Sequence, residues 1–141
     1  MKGQIVPDSD HVARYCKAST VEGSQIQATA FMLRDREEYL SVNWLEDLNR
    51  SDRKSEISAL QEIYSRKLSI GTAAQIAVLN VGTLRTKVAS ETHDTRWLRV
   101  LHDPILPEDP SHSGIYNFSS DDEIIAELIA QTVLERYPAK R

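Results

Sequence analysis

Cysteine is nearly absent. Cys16 is the single one in 141 residues, which excludes an internal disulfide and a cysteine-built zinc site. Glycine is scarce as well, five residues scattered at positions 3, 23, 71, 82 and 114. That spacing permits neither a G-x-x-x-x-G-K-S/T phosphate loop nor a G-x-G-x-x-G dinucleotide turn. H-E-x-x-H and G-x-S-x-G are both missing, which removes zincin and α/β-hydrolase chemistry at the level of motif. No apolar run approaches the roughly 18–20 residues that span a bilayer, and residues 1–8 hold no apolar stretch of signal-peptide length. The expectation is a soluble cytoplasmic chain from a reducing compartment, with no membrane partner.

Basic charge is not in excess either. Seventeen Lys and Arg against 21 Asp and Glu leave a net charge of −4, and nucleic-acid binding, which leaves a basic patch, is disfavoured. The arginine pairs Arg34/Arg36, Arg50/Arg53 and Arg96/Arg99 each stand among carboxylates and read as solvated charge faces. Hydrophobic residues at 40% and charged residues at 27% place the chain among globular proteins and away from disordered ones. The length suits one domain over residues 1–141, and no repeat or linker divides it.

Periodicity supplies the elements. His11 to Lys17 and Ile26 to Leu33 have strand character, separated by a turn at Glu22-Gly23-Ser24. From Tyr39 to Leu45, Leu40, Val42 and Trp44 alternate with Tyr39, Ser41 and Asn43, the period of two of a half-buried strand. A helix fits Asp52 to Lys67, where Ile57, Leu60, Ile63, Tyr64 and Leu68 form one stripe. The apolar run Ile76 to Val81 reads as a strand buried on both faces. Gly82 then marks a bulge before a strand over Leu84 to Val88, and a further strand runs from Arg96 to His102. A final helix starts at a Ser120/Glu123 capping box, buries Ile125, Leu128, Ile129 and Val133, and ends at Pro138. The order predicts an α+β fold, a mainly antiparallel sheet of five or six strands with two helices packed on one face.

One connection stands out. Asp103 to Ser120 is 18 residues long and contains Pro104, Pro107 and Pro110 beside Ile105, Leu106, Ile115, Tyr116 and Phe118. Stiff and pinned by apolar groups, such a loop can present Ser111-His112-Ser113 in a defined place. His102 and Asp103 sit at its root. His102, His112 and His11 are therefore candidate catalytic residues with Asp103, since an imidazole titrating near neutrality is the natural proton shuttle. Arg14, Asn43, Ser111, Ser113 and Tyr116 are candidate binding residues. A metal centre built from His93, His102, Asp103 and His112 fits no compact ligand signature, and no metal or cofactor is expected. Nor do Ser111 or Ser113 make convincing nucleophiles, because serine and histidine adjacent in sequence rarely face each other.

Two functional classes follow. The leading one is a protein-interaction module or small subunit of a larger assembly, with a protein partner or a second copy on the exposed side of the last helix at Ile124 and Leu134. Such a module needs no complete catalytic motif. The alternative is a small histidine-dependent hydrolase, phosphoesterase- or nuclease-like, working from the His102-Asp103 and Ser111-His112 loop.

Overall fold

Alternating polar and apolar residues build the sheet. The computed structural model describes residues 2–141. In chain order it contains β1 (His11–Cys16), a short ribbon of β2 (Val21–Glu22) and β3 (Gln25–Ile26), β4 (Tyr39–Trp44) and α1 (Arg53–Lys67). These are followed by β5 (Gln75–Asn80), α2 (Val81–Glu91), β6 (Arg99–His102), β7 (His112–Tyr116), α3 (Glu123–Ala130) and β8 (Val133–Pro138). Six strands form one sheet in the order β6-β7-β4-β1-β5-β8, and every pairing in it is antiparallel. Beside β6 the edge is covered by the N-terminal segment: Gly3 N–H donates to the His102 carbonyl, His102 N–H to Gln4 and Val6 N–H to Val100. The chain is α+β with a mainly antiparallel sheet, as its patterning indicates.

Three helices cover both faces, where the patterning predicts two on one face. Val12, Leu40, Val42, Leu79, Val100 and Ile115 turn to the side of α2 and α3. Ala13, Ile76 and Val78 turn to the other, where α1 contributes Ile57, Leu60, Ile63 and Tyr64. A fully buried leucine such as Leu60 contributes about 2 kcal/mol relative to exposure. At the start of α1 the Asp52 carboxylate accepts the Ser55 N–H at 2.8 Å, satisfying one orphan donor of the first turn. Basic Arg66 and Lys67 stand in its last turn, where the helix dipole favours them.

Local expectations differ from the structure in four places. Only Ile26 of residues 26–33 is in a strand: β3 ends there, and the chain then makes a 3-10 turn, Ala28–Phe31. Gly82 marks no bulge and residues 84–88 form no strand, because the Asn80 side chain caps the Thr83 N–H and starts α2 there. Residues 103–120 are not one loop, since β7 lies inside them and pairs with both β4 and β6. The final helix stops at Ala130, and residues 133–138 form the edge strand β8. Its capping box does not form. Asp122 is the N-cap, and its carboxylate accepts from Ser119 and Arg96 instead.

Cys16, on β1, is fully buried. Burial pushes its thiol up to about 12, with the positive charge of Arg14 opposing. A thiolate is the reactive form, so the native chain at pH 8 is expected to stay unmodified by a dithiobenzoate reagent and to react once urea unfolds it. Rapid stoichiometric labelling of the native chain would contradict this burial.

Candidate functional site

The sheet opens between two of its central strands. β1 pairs with β5 at six positions, from His11–Asn80 to Cys16–Gln75, yet with β4 only at Val12–Trp44 and Ala13–Asn43. In the same register Arg14 would face Val42 and Tyr15 would face Ser41. Instead the Ser41 carbonyl accepts the Arg14 Nη1–H at 2.9 Å, and Arg14 Nε–H donates to the Ala30 carbonyl at 2.9 Å. The guanidinium thus stands in the gap and takes up one backbone group that strand pairing leaves behind.

A cavity of about 820 Å³ occupies this opening. Its walls come from both sides of the sheet: Ala30, Met32 and Leu33 on one, Tyr64, Lys67 and Leu68 of the α1 end on the other, with Arg14, Ser41, Asn43 and His112 between. This volume lies within the range of small-molecule sites.

Its floor is a buried polar network with Asn43 at the centre. Asn43 Nδ2–H donates to Asp109 Oδ1 at 2.7 Å and to Ser111 Oγ at 2.9 Å. Its Oδ1 accepts the Tyr64 hydroxyl at 2.8 Å. Asp109, 1% exposed, is met on its other oxygen by Lys67 Nζ at 2.7 Å. Burial first, and the charge of Asp109 second, push the Tyr64 phenol well above its ordinary value, which keeps it a donor. Each polar group here is both held and holding, the condition under which a buried network specifies one geometry.

His112 enters from β7, opposite Asn43. Its Nδ1 lies 2.8 Å from the Asp103 carbonyl, which can only accept, so Nδ1 carries the proton. Nε2 is then an acceptor in the neutral ring, and the Ser41 hydroxyl lies 3.2 Å from it. Tyr39 meets the imidazole edge-on, ring centroids 5.9 Å apart.

Charge completes the description. Arg14, Lys17, Arg34 and Lys67 line the cavity against Glu37 and Asp109, four cations to two carboxylates in a chain of net charge −4. Lys67 is paired with Asp109. Arg14 has only the two backbone carbonyls, and among the described residues no carboxylate is in ion-pair contact with it. Burial lowers its pKa, the expected direction for a desolvated cation.

Of the residues singled out from sequence, Arg14, Asn43 and His112 meet at this cavity, and Ser111 supports Asn43 from behind. The others stand elsewhere. His11 Nδ1 pairs with Glu46 Oε2 at 2.7 Å. His102 is buried against Trp44, with Nε2 2.8 Å from the Pro110 carbonyl and 3.5 Å from Asp47. The Asp103 carboxylate lies 3.9 Å from His112 Nδ1 and 3.8 Å from Lys2. Ser113 donates to the Ser111 carbonyl, and Tyr116 packs on Tyr39. Among the described residues no group of three or more His, Cys, Asp and Glu could hold a metal ion, and no helix is long and apolar enough to cross a membrane.

Sequence reasoning missed Ser41, Tyr64, Lys67 and Asp109. A signal existed for two of them. Tyr39, Ser41 and Asn43 form a polar sheet face, and Tyr64 is the hydroxyl-bearing member of an apolar helix stripe; a polar face needs such a cover. Asp109 and Lys67 carried none. Comparison of the chain with models of protein families, with curated proteins and with solved structures finds no match, and the chemistry of the site is read from its own residues.

Proposed function

We propose that the chain binds a small anionic molecule, a carboxylate or a phosphate ester, in the cavity between β1 and β4. The observation that supports this is Arg14, a guanidinium with no ion-paired carboxylate on a cavity wall. Glu37 on the same wall attracts Arg14 without touching it; a desolvated charge with no carboxylate in contact is costly, and a bound anion supplies that contact. Its planar fork suits both ligand classes, because a guanidinium matches carboxylate and phosphate geometry. Lys17 and Arg34 on the same walls add attraction for a negative ligand. The apolar side chains Met32, Leu33 and Leu68 offer room for a carbon skeleton beside the charge.

A protein-interaction module, the leading expectation from sequence, requires no such cavity. Ile124 and Leu134 are exposed as that reading asked, although Leu134 now belongs to β8. The Arg14 cavity is the more specific feature and carries the choice.

Titration with inorganic phosphate and with succinate, followed by calorimetry and by the shift in melting temperature, tests the proposal. Either anion is expected to bind and to stabilise the fold by mass action. Arg14→Met is expected to weaken binding about 30-fold, equivalent to about 2 kcal/mol. Its own melting temperature should hold, since it loses an uncompensated charge along with two hydrogen bonds. Equal affinity in a folded Arg14→Met variant, or no binding of either anion, would overturn the assignment.

A further inference from the structure

We propose that Ser41 and His112 form a nucleophile–base pair that hydrolyses carboxylic esters whose acyl part carries an anionic group. The inference rests on the anion-binding reading, which supplies Arg14 as the anchor for that charge. Three observations lead to it. Ser41 Oγ is 3.2 Å from His112 Nε2, within the reach at which a base takes a hydroxyl proton. The bond from Nδ1–H to the Asp103 carbonyl at 2.8 Å leaves Nε2 as the accepting nitrogen. Both side chains line the 820 Å³ cavity, so the pair is presented to a ligand.

The surroundings suit the chemistry. His112 is 5% exposed and is held by the edge of Tyr39 and by Asp103, as an orienting group must hold a base. The Asp103 carboxylate, 3.9 Å from Nδ1, stabilises the imidazolium when it forms. Arg14 is bonded to the carbonyl of Ser41 itself, which places its positive charge next to the reacting residue. Because β1 and β4 no longer pair at Ser41, the backbone there opens on the cavity instead of on a neighbouring strand. That opening gives an ester carbonyl a way in.

The reaction balances within the pair and water. Ser41 Oγ bonds to the acyl carbon as its proton passes to His112 Nε2. The carbon–alkoxy bond breaks, and the alkoxide leaves with its electron pair and takes that proton. Water then adds to the acyl-serine, giving its proton to Nε2. The acyl–Oγ bond breaks, the proton returns to Ser41, and the carboxylic acid departs.

The experiment uses the whole chain and the mono-p-nitrophenyl ester of succinic acid, with p-nitrophenyl acetate as the uncharged comparison. Nitrophenolate release is expected to fall about a hundredfold in Ser41→Ala and in His112→Asn. In Arg14→Met the preference for the charged ester should disappear. A fluorophosphonate should leave one covalent adduct, located on Ser41 by peptide mass spectrometry and lost in Ser41→Ala. Release at the buffer rate with no adduct, while phosphate or succinate still binds, overturns the hydrolase and leaves the binding site standing. Unchanged turnover in folded Ser41→Ala also overturns it. Failure of both turnover and anion binding removes the two proposals together.

Discussion

Replacement of Lys67 by Met should lower the unfolding free energy by about 3 kcal/mol, the low end of what breaking a buried ion pair costs. The reason is the partner left behind. Asp109 is 1% exposed, and its Oδ2 meets Lys67 Nζ at 2.7 Å. Without the ammonium the carboxylate keeps only the neutral Asn43 amide on its other oxygen. Full burial would argue for a larger loss, but the Lys67 side chain is 35% exposed, so water reaches part of the vacated space. In melting temperature the effect is roughly 10 °C for a chain of this size.

Lys67 also ends α1, and its charge there favours the helix dipole by about 0.5 kcal/mol. A second substitution separates the two contributions. Asp109→Asn removes the buried charge while preserving shape and an acceptor for Asn43. In that background Lys67→Met should cost only the dipole contribution, giving a coupling energy of about 2.5 kcal/mol between the two positions. Urea denaturation of the four proteins measures it. Additive losses would show that Lys67 and Asp109 do not act as a pair.

How much of this site could be read in one dimension follows from the same contacts. Tyr39–Trp44 was legible residue by residue, because a strand with one apolar face repeats at period two. The stripe of α1 was legible for the same local reason. Asn43 stood out as a polar residue in that alternation. Its partners were invisible, since Tyr64, Asp109 and Ser111 lie 21, 66 and 68 positions away, and nothing in a local pattern encodes such closure. The central strand β7 was hidden by composition. Gly114 is a poor strand former, His112 and Ser113 are not among the β-branched and aromatic residues that favour strands, and all three follow three prolines; pairing on both sides overrides the local preference. At α3 the helical spacing of Ile125, Leu128 and Ile129 continues in the sequence through Val133. The structure ends the helix at Ala130, and Thr132 turns its hydroxyl back onto the Ile129 carbonyl. From Val133 onward the alternation of half-buried and exposed residues marks β8.

Gly114 ties the stability of β7 to the geometry of the site. A Cβ added there would stand 2.6 Å from Tyr39 Cδ2, 2.9 Å from Tyr39 Cγ and 2.9 Å from Tyr116 Cε1. The two rings lie over the glycine, centroids 5.0 Å apart, and supply the packing that a glycine in a strand otherwise lacks. Because Cγ is the rigid base of the tyrosine ring, the clash cannot be relieved by swinging a flexible tip. Gly114→Ala is therefore expected to cost about 2–3 kcal/mol, the upper part of the range for overpacking a filled site. Tyr39→Leu should recover much of that loss, since removing the ring removes its two close contacts. Position 114 faces Ser41 across the sheet, and Tyr39 also touches the His112 ring. Displacing Tyr39 should for that reason shift the His112 imidazole resonances in the spectrum of folded Gly114→Ala. Those resonances should stay in place when the same loss of stability is introduced on β8, the far edge of the sheet. If Gly114→Ala costs less than about 0.5 kcal/mol, within the range of an ordinary surface substitution, the two tyrosines are not packed over the glycine, and the support for His112 has to come from Asp103 and Ser41.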